Sequence, residues 1–283
     1  MPSVIFIDGV LTPRERATVS VFDRGFLYGD TVFETLRVYG GKPFLETLHL
    51  ERLRRSADLV GIDLPTSDEG LAEELQRAIH ASGETEAVVR VTVSRGEAPL
   101  GIDPCRATHP RRLVFVEPLG VRASGSAPIA VRLVTSRRGA DLAPAAKIGA
   151  YVDAILALRV AQAAGDDEAV LVDSSGFVLE ATTANVFAID AGGRLVTPRE
   201  GAILAGITRG EVLRIARAEG LAPLEQPISA EALRCSREIF VTSSVREIVA
   251  VGRVDRAVVG TGAMGPVTAR LLEVYRAAVP RGP

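Results

Sequence analysis

Short apolar segments closed by tight turns constrain the fold of this chain more than any other feature of its sequence. Val4–Ile7 indicates a strand closed by an Asp-Gly turn, and residues 32–39 indicate a second strand closed by a Gly-Gly turn. Residues 45–60 carry apolar side chains at helical spacing, and residues 67–79 predict another helix with Ser67 as its N-cap. Because strands and helices alternate, the first half predicts an α/β fold of the mixed, α+β kind.

A stretch rich in glycine, serine and proline, residues 119–128, is the best candidate for a linker. Beyond it the strands are short and the turns frequent, which predicts a mixed barrel or sandwich with helices outside. The length of 283 residues suits one large or two medium domains. We therefore expect a small N-terminal domain over residues 1–120, a linker over 121–127 and a larger domain over 128–283.

Composition excludes several classes of protein. The formal net charge is −2, so the basic surface of a nucleic-acid-binding protein is absent, and no apolar run approaches the length of a membrane span. The first eight residues lack the basic flank and apolar stretch of a signal peptide. Cys105 and Cys235 are far apart and His49, His80 and His109 are scattered, which predicts free thiols, a cytoplasmic location and no metal site.

Two residues stand in settings that suit catalysis. Lys147 is flanked by small and apolar residues just before a predicted helix, where partial desolvation would lower its pKa and make it a usable amine nucleophile. Glu180 ends an apolar strand among small residues, as a buried partner for a cation would. Each also has an ordinary structural alternative, which is a solvated surface charge.

A third group of residues predicts a phosphate site. Residues 204–208 precede a helix whose free N–H groups, glycine and threonine hydroxyl suit an anion. Ser243 and Ser244 end another strand, and Arg52 can supply a cation. A helix cap, a turn and a solvated arginine are the ordinary alternatives. Together, a reactive lysine, an acid for a pyridinium N–H and a phosphate cup are what pyridoxal 5′-phosphate (PLP) chemistry requires.

With these residues in place, the sequence resembles the class IV (fold type IV) PLP-dependent aminotransferases over nearly its whole length. That family includes D-amino acid, branched-chain L-amino acid and (R)-amine transaminases, and aminodeoxychorismate lyase. Several motifs occur in the family's order, which makes the resemblance specific. They are residues 22–30 (FDRGFLYGD), 32–38 (VFETLRV) and 49–53 (HLERL), then Lys147, then residues 178–187 (VLEATTANVF), 206–209 (GITR), 240–244 (FVTSS) and 265–268 (GPVT).

The resemblance implies a role for each matching residue. Lys147 matches the lysine that bonds to the cofactor and then acts as general base, and Glu180 matches the acid that pairs with the ring nitrogen. Leu204 matches the apolar residue on the ring face, and Tyr151 is a candidate for the cofactor's phenolic oxygen. The remaining cofactor-binding positions are Arg52, Thr183, Ile207, Thr208, Ser243 and Ser244.

The family's fold is a small N-terminal α/β domain and a larger barrel-like domain that binds the cofactor between them. Its members are usually homodimers that share the active site across the interface. The resemblance also implies ping-pong transfer of an amino group between small amino acids and 2-oxo acids such as 2-oxoglutarate or pyruvate. It makes Tyr28, Glu34, Arg37 and Arg90 the substrate-binding candidates.

Different motifs of the sequence resemble family branches with different substrates. The spacing from Lys147 to residues 156–157 matches the D-amino acid, (R)-amine and lyase branches, whereas residues 33–37 and Arg90 resemble branched-chain positions. The lyase branch often has threonine at position 34, where this chain has glutamate. The Arg-x-His carboxylate trap of usual D-amino acid enzymes is missing from residues 99–102.

Arg90, Arg37 or the pair at 137–138 could bind the substrate carboxylate instead, and a structural salt bridge is the alternative for each. We expect D-amino acid transamination with some (R)-amine activity, with branched-chain L-amino acids as the runner-up and a lyase behind both. A non-catalytic ligand-binding relative of the fold is the alternative from another class. The presence of Lys147 and Glu180 argues against it.

Overall fold

A computed structural model describes residues 3–120, 127–136 and 146–280 of the chain. These residues form two compact units. Unit 1 holds residues 3–120, 146–150 and 279–280, and unit 2 holds residues 127–136 and 151–278. Of the predicted linker, residues 121–127, only its last position is among the described residues. Arg137 and Arg138 also lie outside the described residues.

Unit 1 is built on one six-stranded antiparallel sheet with the order β2-β1-β6-β5-β3-β4. Its strands are β1 (Val4–Ile7), β2 (Val10–Leu11), β3 (Thr31–Tyr39), β4 (Lys42–Pro43), β5 (Ala87–Ser94) and β6 (Arg111–Pro118). Its helices are α1 (Arg24–Tyr28), α2 (Glu46–Val60) and α3 (Asp68–Ser82), and Arg14–Arg16 and Pro104–Arg106 form single 3-10 turns.

One face of this sheet carries the core of unit 1. Alternate residues of β3, among them Val32 and Leu36, point toward the apolar faces of α2 and α3, where Leu53 and Leu75 are fully buried. Burial of each such side chain contributes roughly 1.5–3 kcal/mol. The predicted end of α2 and start of α3 are confirmed: the Ser67 side chain accepts from the Gly70 N–H, and Gly61 ends α2 with φ of 65°. The end of α3 lies at Ser82, beyond the predicted residue 79.

The segment 146–150 adds a short antiparallel contact along β3. The Phe33 N–H donates to the Lys147 carbonyl at 3.1 Å, and the Gly149 N–H donates to the Thr31 carbonyl at 2.9 Å. These bonds pair Val32 with Ile148 as an isolated bridge. The backbone of Lys147 is therefore fixed by the edge of a sheet rather than by a solvent loop.

Unit 2 contains a nine-stranded mixed sheet with the order β12-β11-β10-β13-β14-β7-β8-β9, and β15 pairs with β14 off this path. Its strands are β7 (Ile129–Thr135), β8 (Glu168–Val172), β9 (Val178–Ala181), β10 (Asn185–Ile189), β11 (Leu195–Thr197), β12 (Leu224–Glu225), β13 (Glu238–Ser243), β14 (Glu247–Val254) and β15 (Ala257–Val258). Its helices are α4 (Val152–Ala163), α5 (Ile207–Ala218), α6 (Ala230–Arg234) and α7 (Pro266–Ala278).

The centre of this sheet is buried on both faces. Every residue of β10 is buried, as are the first five residues of β13, and the rings of Phe187 and Phe240 stack with centroids 4.9 Å apart. The predicted fold class, a mixed α/β protein with a barrel-like second part, is confirmed. Over the described ranges no helix is long and apolar enough to cross a bilayer, and no cluster of acidic, histidine and cysteine side chains could hold a metal ion.

Candidate functional site

Lys147 lies in unit 1 with both its backbone and its amine held. Its N–H donates to the Ser56 hydroxyl on α2 at 3.0 Å, and its Nζ lies 4.5 Å from the centroid of the Phe33 ring. The other lysine of the chain, Lys42, is exposed in β4. Of the two lysines, only Lys147 has the half-buried setting that the sequence predicted for a reactive amine.

The Phe33 ring also carries a second cation. The Cζ atom of Arg90, a half-buried residue of β5, lies 3.7 Å from the ring centroid. A cation over an aromatic face is worth about 0.5–2 kcal/mol, so the ring helps to hold both charged groups. Unit 1 thus brings the predicted catalytic amine and one predicted carboxylate-binding guanidinium to the same aromatic side chain.

Glu34 lies on the opposite, helix-facing side of β3, where it is fully buried. The Arg52 Nε and Nη2 atoms donate to its two oxygens at 2.6 and 2.8 Å, and His49 Nδ1 lies 2.7 Å from Oε2. Burial raises the pKa of Glu34, but the hydrogen bonds from Arg52 and His49 outweigh it and lower the pKa to about 2.

His49 completes this buried cluster as a hydrogen-bond donor. Burial lowers the pKa of His49, and Glu34 acts in the opposite direction. An ionised Glu34 carboxylate can only accept, so the proton of the neutral imidazole is on Nδ1. Arg52, predicted to bind phosphate, thus donates through two of its nitrogens to Glu34.

The other two predicted substrate residues of unit 1 lie elsewhere. The Tyr28 hydroxyl accepts from the Gly101 N–H at 3.1 Å and so holds the loop at residues 99–103. Arg37 is buried, with Nη2 3.7 Å from Glu86 and its Cζ 4.3 Å from the Tyr39 ring centroid. It lies four residues along β3 from Phe33, which is about 13 Å at the usual strand rise. The structure does not bring Arg37 to Lys147.

A cavity of about 420 Å³ in unit 1 adjoins the Lys147 segment. Its lining includes Tyr28, Ile148 and Ala150 together with Arg24, Asp30 and Arg95. Both arginines donate through Nε to Asp30 at 2.8 Å, and their other nitrogens bind backbone carbonyls. The cavity is therefore walled by a satisfied ion-pair network and by apolar atoms.

In unit 2, Glu180 and Leu204 are joined through Asn185. The Asn185 Nδ2 atom donates to the Leu204 carbonyl at 2.9 Å and to Glu180 Oε2 at 3.4 Å, and the Leu204 N–H donates to the same Oε2 at 3.2 Å. These bonds fix the direction of the Glu180 carboxylate at the end of β9. An anchored anion of this kind suits the N–H of a protonated ring nitrogen.

The N-terminus of α5 comes close to the same asparagine. Gly206 is the N-cap without a side-chain cap, and a Cβ built on it would lie 1.9 Å from Asn185 Oδ1. Ile207 and Thr208 form the first turn, with Thr208 buried. Glycine is required here because the backbone passes so close to Asn185, and the N–H groups of a helix start attract anions.

Hydroxyl groups at the end of β13 complete this group in unit 2. Thr242 pairs with Asn185 across the strands, and its buried Oγ1 has no hydrogen-bond partner among the described residues. Ser243 Oγ accepts from the Arg246 N–H at 3.3 Å, and the half-buried Ser244 follows. A buried hydroxyl of this kind suits a polar ligand. The residues of unit 2 thus fit a group with a phosphate and a ring nitrogen.

Arg246 was not predicted as a site residue. Its Nη2 atom lies 2.9 Å from Glu168 Oε2 and 3.3 Å from the Thr183 hydroxyl, while Thr182 donates to the same glutamate. Arg246 thereby ties the turn before β14 to the turn between β9 and β10. Thr183, a predicted cofactor residue, is bonded to this guanidinium, so its contact with a cofactor stays a prediction.

Tyr151 takes a place at the start of α4. It is half-buried, and its carbonyl accepts from the Ile155 N–H at 2.9 Å as the first bond of the helix. Its predicted contact with the cofactor's phenolic oxygen stays a prediction.

One signal in the sequence indicates Ser56 and the buried partners of His49 and Arg52, which the motifs do not. His49, Arg52 and Ser56 follow each other at spacings of three and four, which puts them on one face of α2. A polar stripe on the helix face that packs against a sheet indicates buried partners. Phe33 and Arg246 carry no comparable local signal.

Comparison with known proteins gives the same family throughout. The sequence model described as amino-transferase class IV matches residues 31–254. A putative branched-chain-amino-acid aminotransferase of Methanocaldococcus jannaschii is 34% identical over 273 residues, which are 96% of this chain and 95% of that protein. D-alanine aminotransferase of Bacillus licheniformis is 29% identical over 93% of each chain. The crystal structure of the Escherichia coli branched-chain amino acid aminotransferase is 28% identical, with a TM-score of 0.90 over 98% of this chain and 95% of that chain.

Proposed function

This chain belongs to the class IV aminotransferases, which use PLP, and we propose that it moves amino groups between branched-chain L-amino acids and a 2-oxo acid such as 2-oxoglutarate. The observation that carries this choice is the 34% identity to a relative named as a branched-chain aminotransferase, over 96% of this chain. Arg90, a position that resembles that branch, supports it because it lies on the same phenylalanine ring as Lys147.

D-amino acids, the preference predicted from the sequence, are the second candidate. Two observations favour them: the spacing after Lys147 and the 29% identity to a D-alanine aminotransferase. The missing Arg-x-His trap counts against the usual form of that activity. A D-specific enzyme built on this chain would need another cation for the carboxylate.

We assign the carboxylate contact to Arg90. Arg37 is engaged with Glu86 and lies about 13 Å along β3 from Phe33. The Arg90 Cζ atom lies 3.7 Å from the centroid of the Phe33 ring, the ring that also contacts the Lys147 amine, and a guanidinium can bind a carboxylate through two parallel N–H groups. The assignment predicts that loss of Arg90 weakens substrate binding more than it slows the chemical step.

Each candidate site residue has its own chemical role in transamination. When bound, PLP withdraws electrons from the amino acid's Cα–H bond. The Lys147 amine takes up that proton and returns it. Glu180 keeps a proton on the ring nitrogen, and Leu204 packs on the ring face. The first turn of α5, Ser243, Ser244 and Arg52 would bind the phosphate.

Glu34 has a different proposed role from the predicted contact with substrate. Its carboxylate is fully buried between Arg52 and His49 on the helix-facing side of β3. We propose that it positions Arg52 for the phosphate and balances its charge. A buried guanidinium needs such a counter-ion.

We also propose that the enzyme works as a homodimer in the cytoplasm. Unit 1 exposes large apolar side chains at Val21, Phe22, Phe26, Leu100 and Ile102, with Phe26 69% and Ile102 84% exposed. Exposed apolar side chains of this kind mark an interface, and a second copy of the chain is the occupant expected in this family. Cys105 and Cys235 are exposed free thiols, which suits a reducing compartment.

A panel of amino donors tests the substrate proposal. L-leucine, L-valine, D-alanine and D-glutamate are each offered with 2-oxoglutarate and with pyruvate, and the Lys147→Ala variant serves as the blank. We expect turnover of the branched L-amino acids and little of the D-amino acids. Turnover of D-alanine or D-glutamate without L-leucine would replace the first candidate by the second.

A further inference from the structure

We propose that Ser56 is a positioning residue that sets the direction of the Lys147 amine through a hydrogen bond to the Lys147 peptide. The inference rests on the proposed role of Lys147. Ser56 lies on α2, it has no exposed surface, and its Oγ accepts from the Lys147 N–H at 3.0 Å. The two residues are 91 positions apart, so the bond ties the helix to the lysine's own segment.

Three hydrogen bonds between described residues of unit 1 are among the contacts that hold this segment. Two of them join backbone to backbone along β3, from Phe33 N–H to the Lys147 carbonyl and from Gly149 N–H to the Thr31 carbonyl. The third is the bond to Ser56. Since backbone bonds survive most substitutions, the bond to Ser56 is the one of the three that a side-chain change removes.

The bond matters because a small rotation of the lysine backbone moves the amine at the end of the long side chain by a much larger distance. Five bonds of about 1.5 Å separate Cα from Nζ, so the amine lies about 6 Å from the backbone. A tilt of about 10° in the peptide would move Nζ by about 1 Å, and a displacement of that size costs about a hundredfold in rate. The Phe33 ring contacts the amine end of the lysine side chain, and the bond to Ser56 holds its backbone end.

The position of Ser56 on α2 argues for more than packing. Arg52 lies one turn earlier on the same helix face and bonds Glu34. The same face therefore holds a proposed phosphate ligand and the peptide of the catalytic amine.

The test compares Ser56→Ala with Ser56→Cys. Cysteine nearly preserves the volume of serine, but its sulfur is a weak acceptor. Ser236→Ala is the matched control, because Ser236 is also buried and its hydroxyl donates to the Ala232 carbonyl in unit 2. If the hydrogen bond matters, both Ser56 variants should show faster exchange of the Lys147 amide and a lower kcat. If packing alone matters, Ser56→Cys should match the wild type in both measurements.

Hydrogen exchange in the PLP-free protein provides a readout independent of activity. Loss of a bond worth about 1.4 kcal/mol should speed exchange of the Lys147 amide about tenfold in both Ser56 variants. The Gly149 amide should change by less than about twofold, because its partner is the Thr31 backbone. The control should change neither amide.

In the PLP-loaded enzyme, kcat should fall about tenfold or more in both Ser56 variants while KM for the amino donor stays within about twofold. Unchanged Lys147 exchange, or wild-type kcat in Ser56→Cys, would overturn the inference. If the wild type neither bonds PLP at Lys147 nor transaminates, the proposed function fails instead, and the exchange measurement separates the two failures.

Discussion

Replacing Glu34 by glutamine removes the anion from the buried cluster that it forms with Arg52 and His49. Glutamine keeps the shape of the side chain but leaves the Arg52 guanidinium, which is 4% exposed, without its counter-ion. Breaking a buried ion pair from one side costs about 3–5 kcal/mol. We expect Glu34→Gln to be less stable than the wild type by about that amount at pH 7.

The lowered pKa of Glu34 predicts how this stabilisation depends on pH. Glu34 has a pKa of about 2 in place of the usual 4.5, which at about 1.4 kcal/mol per pH unit corresponds to about 3–4 kcal/mol. Because the pKa is lowered by folding, this stabilisation is complete above pH 4.5 and is lost as the pH falls toward 2. The stability gap between wild type and Glu34→Gln should therefore close over that window.

Urea unfolding at pH 7, 5, 4 and 3, followed by circular dichroism, measures the gap. Glu86→Gln is the matched control, since Glu86 is half exposed and lies 3.7 Å from Arg37. The control should stay within about 0.5 kcal/mol of the wild type at every pH. A gap for Glu34→Gln that is the same at pH 3 as at pH 7, or one no larger than the control's, would refute the reasoning.

Three further changes have defined outcomes. Gly206→Ala should weaken PLP binding at least about tenfold in a fluorescence titration, because the new Cβ would displace Asn185; unchanged affinity would mean that α5 is not the phosphate site. Arg90→Ala should raise KM for the amino donor by about ten- to a hundredfold, with a smaller effect on kcat, in steady-state kinetics; an unchanged KM would remove Arg90 as the carboxylate ligand. Phe26→Asp should shift the protein from dimer to monomer in light scattering at micromolar concentration, and a wild type that is already monomeric would contradict the dimer.

Local features of the sequence predicted much of the fold. Capping within a few residues decides the helix ends at Gly61 and Ser67, and the structure has both, together with the helix after Gly206, where the sequence predicts them. The apolar stretches on either side of residues 173–175 predict a hairpin, and the structure pairs them as the antiparallel strands β8 and β9. The strand Glu247–Val254 is not among the predicted strands, although its apolar run over residues 248–251 is a local signal of a buried strand.

The contacts around the candidate site are harder to predict than its candidate residues. Motifs predict Lys147, Glu180 and the start of α5 as site residues, but Ser56 bonds a residue 91 positions away and Arg246 bonds one 78 positions away. Periodicity carries no information on such pairs, because they depend on how strands and helices pack. Glu34 illustrates the consequence: the motif marked it as a substrate residue, whereas its side of β3 faces α2.

The bond between Lys147 and the cofactor is the most direct test of the whole account. The chain has two lysines, Lys42 and Lys147, so borohydride reduction of the PLP-loaded protein followed by peptide mapping distinguishes them without ambiguity. We predict that the pyridoxyl group is found on Lys147, that Lys42→Arg leaves it there and that Lys147→Ala abolishes it together with transamination. A pyridoxyl group on Lys42 in the wild type, or full transamination by Lys147→Ala, would contradict the account.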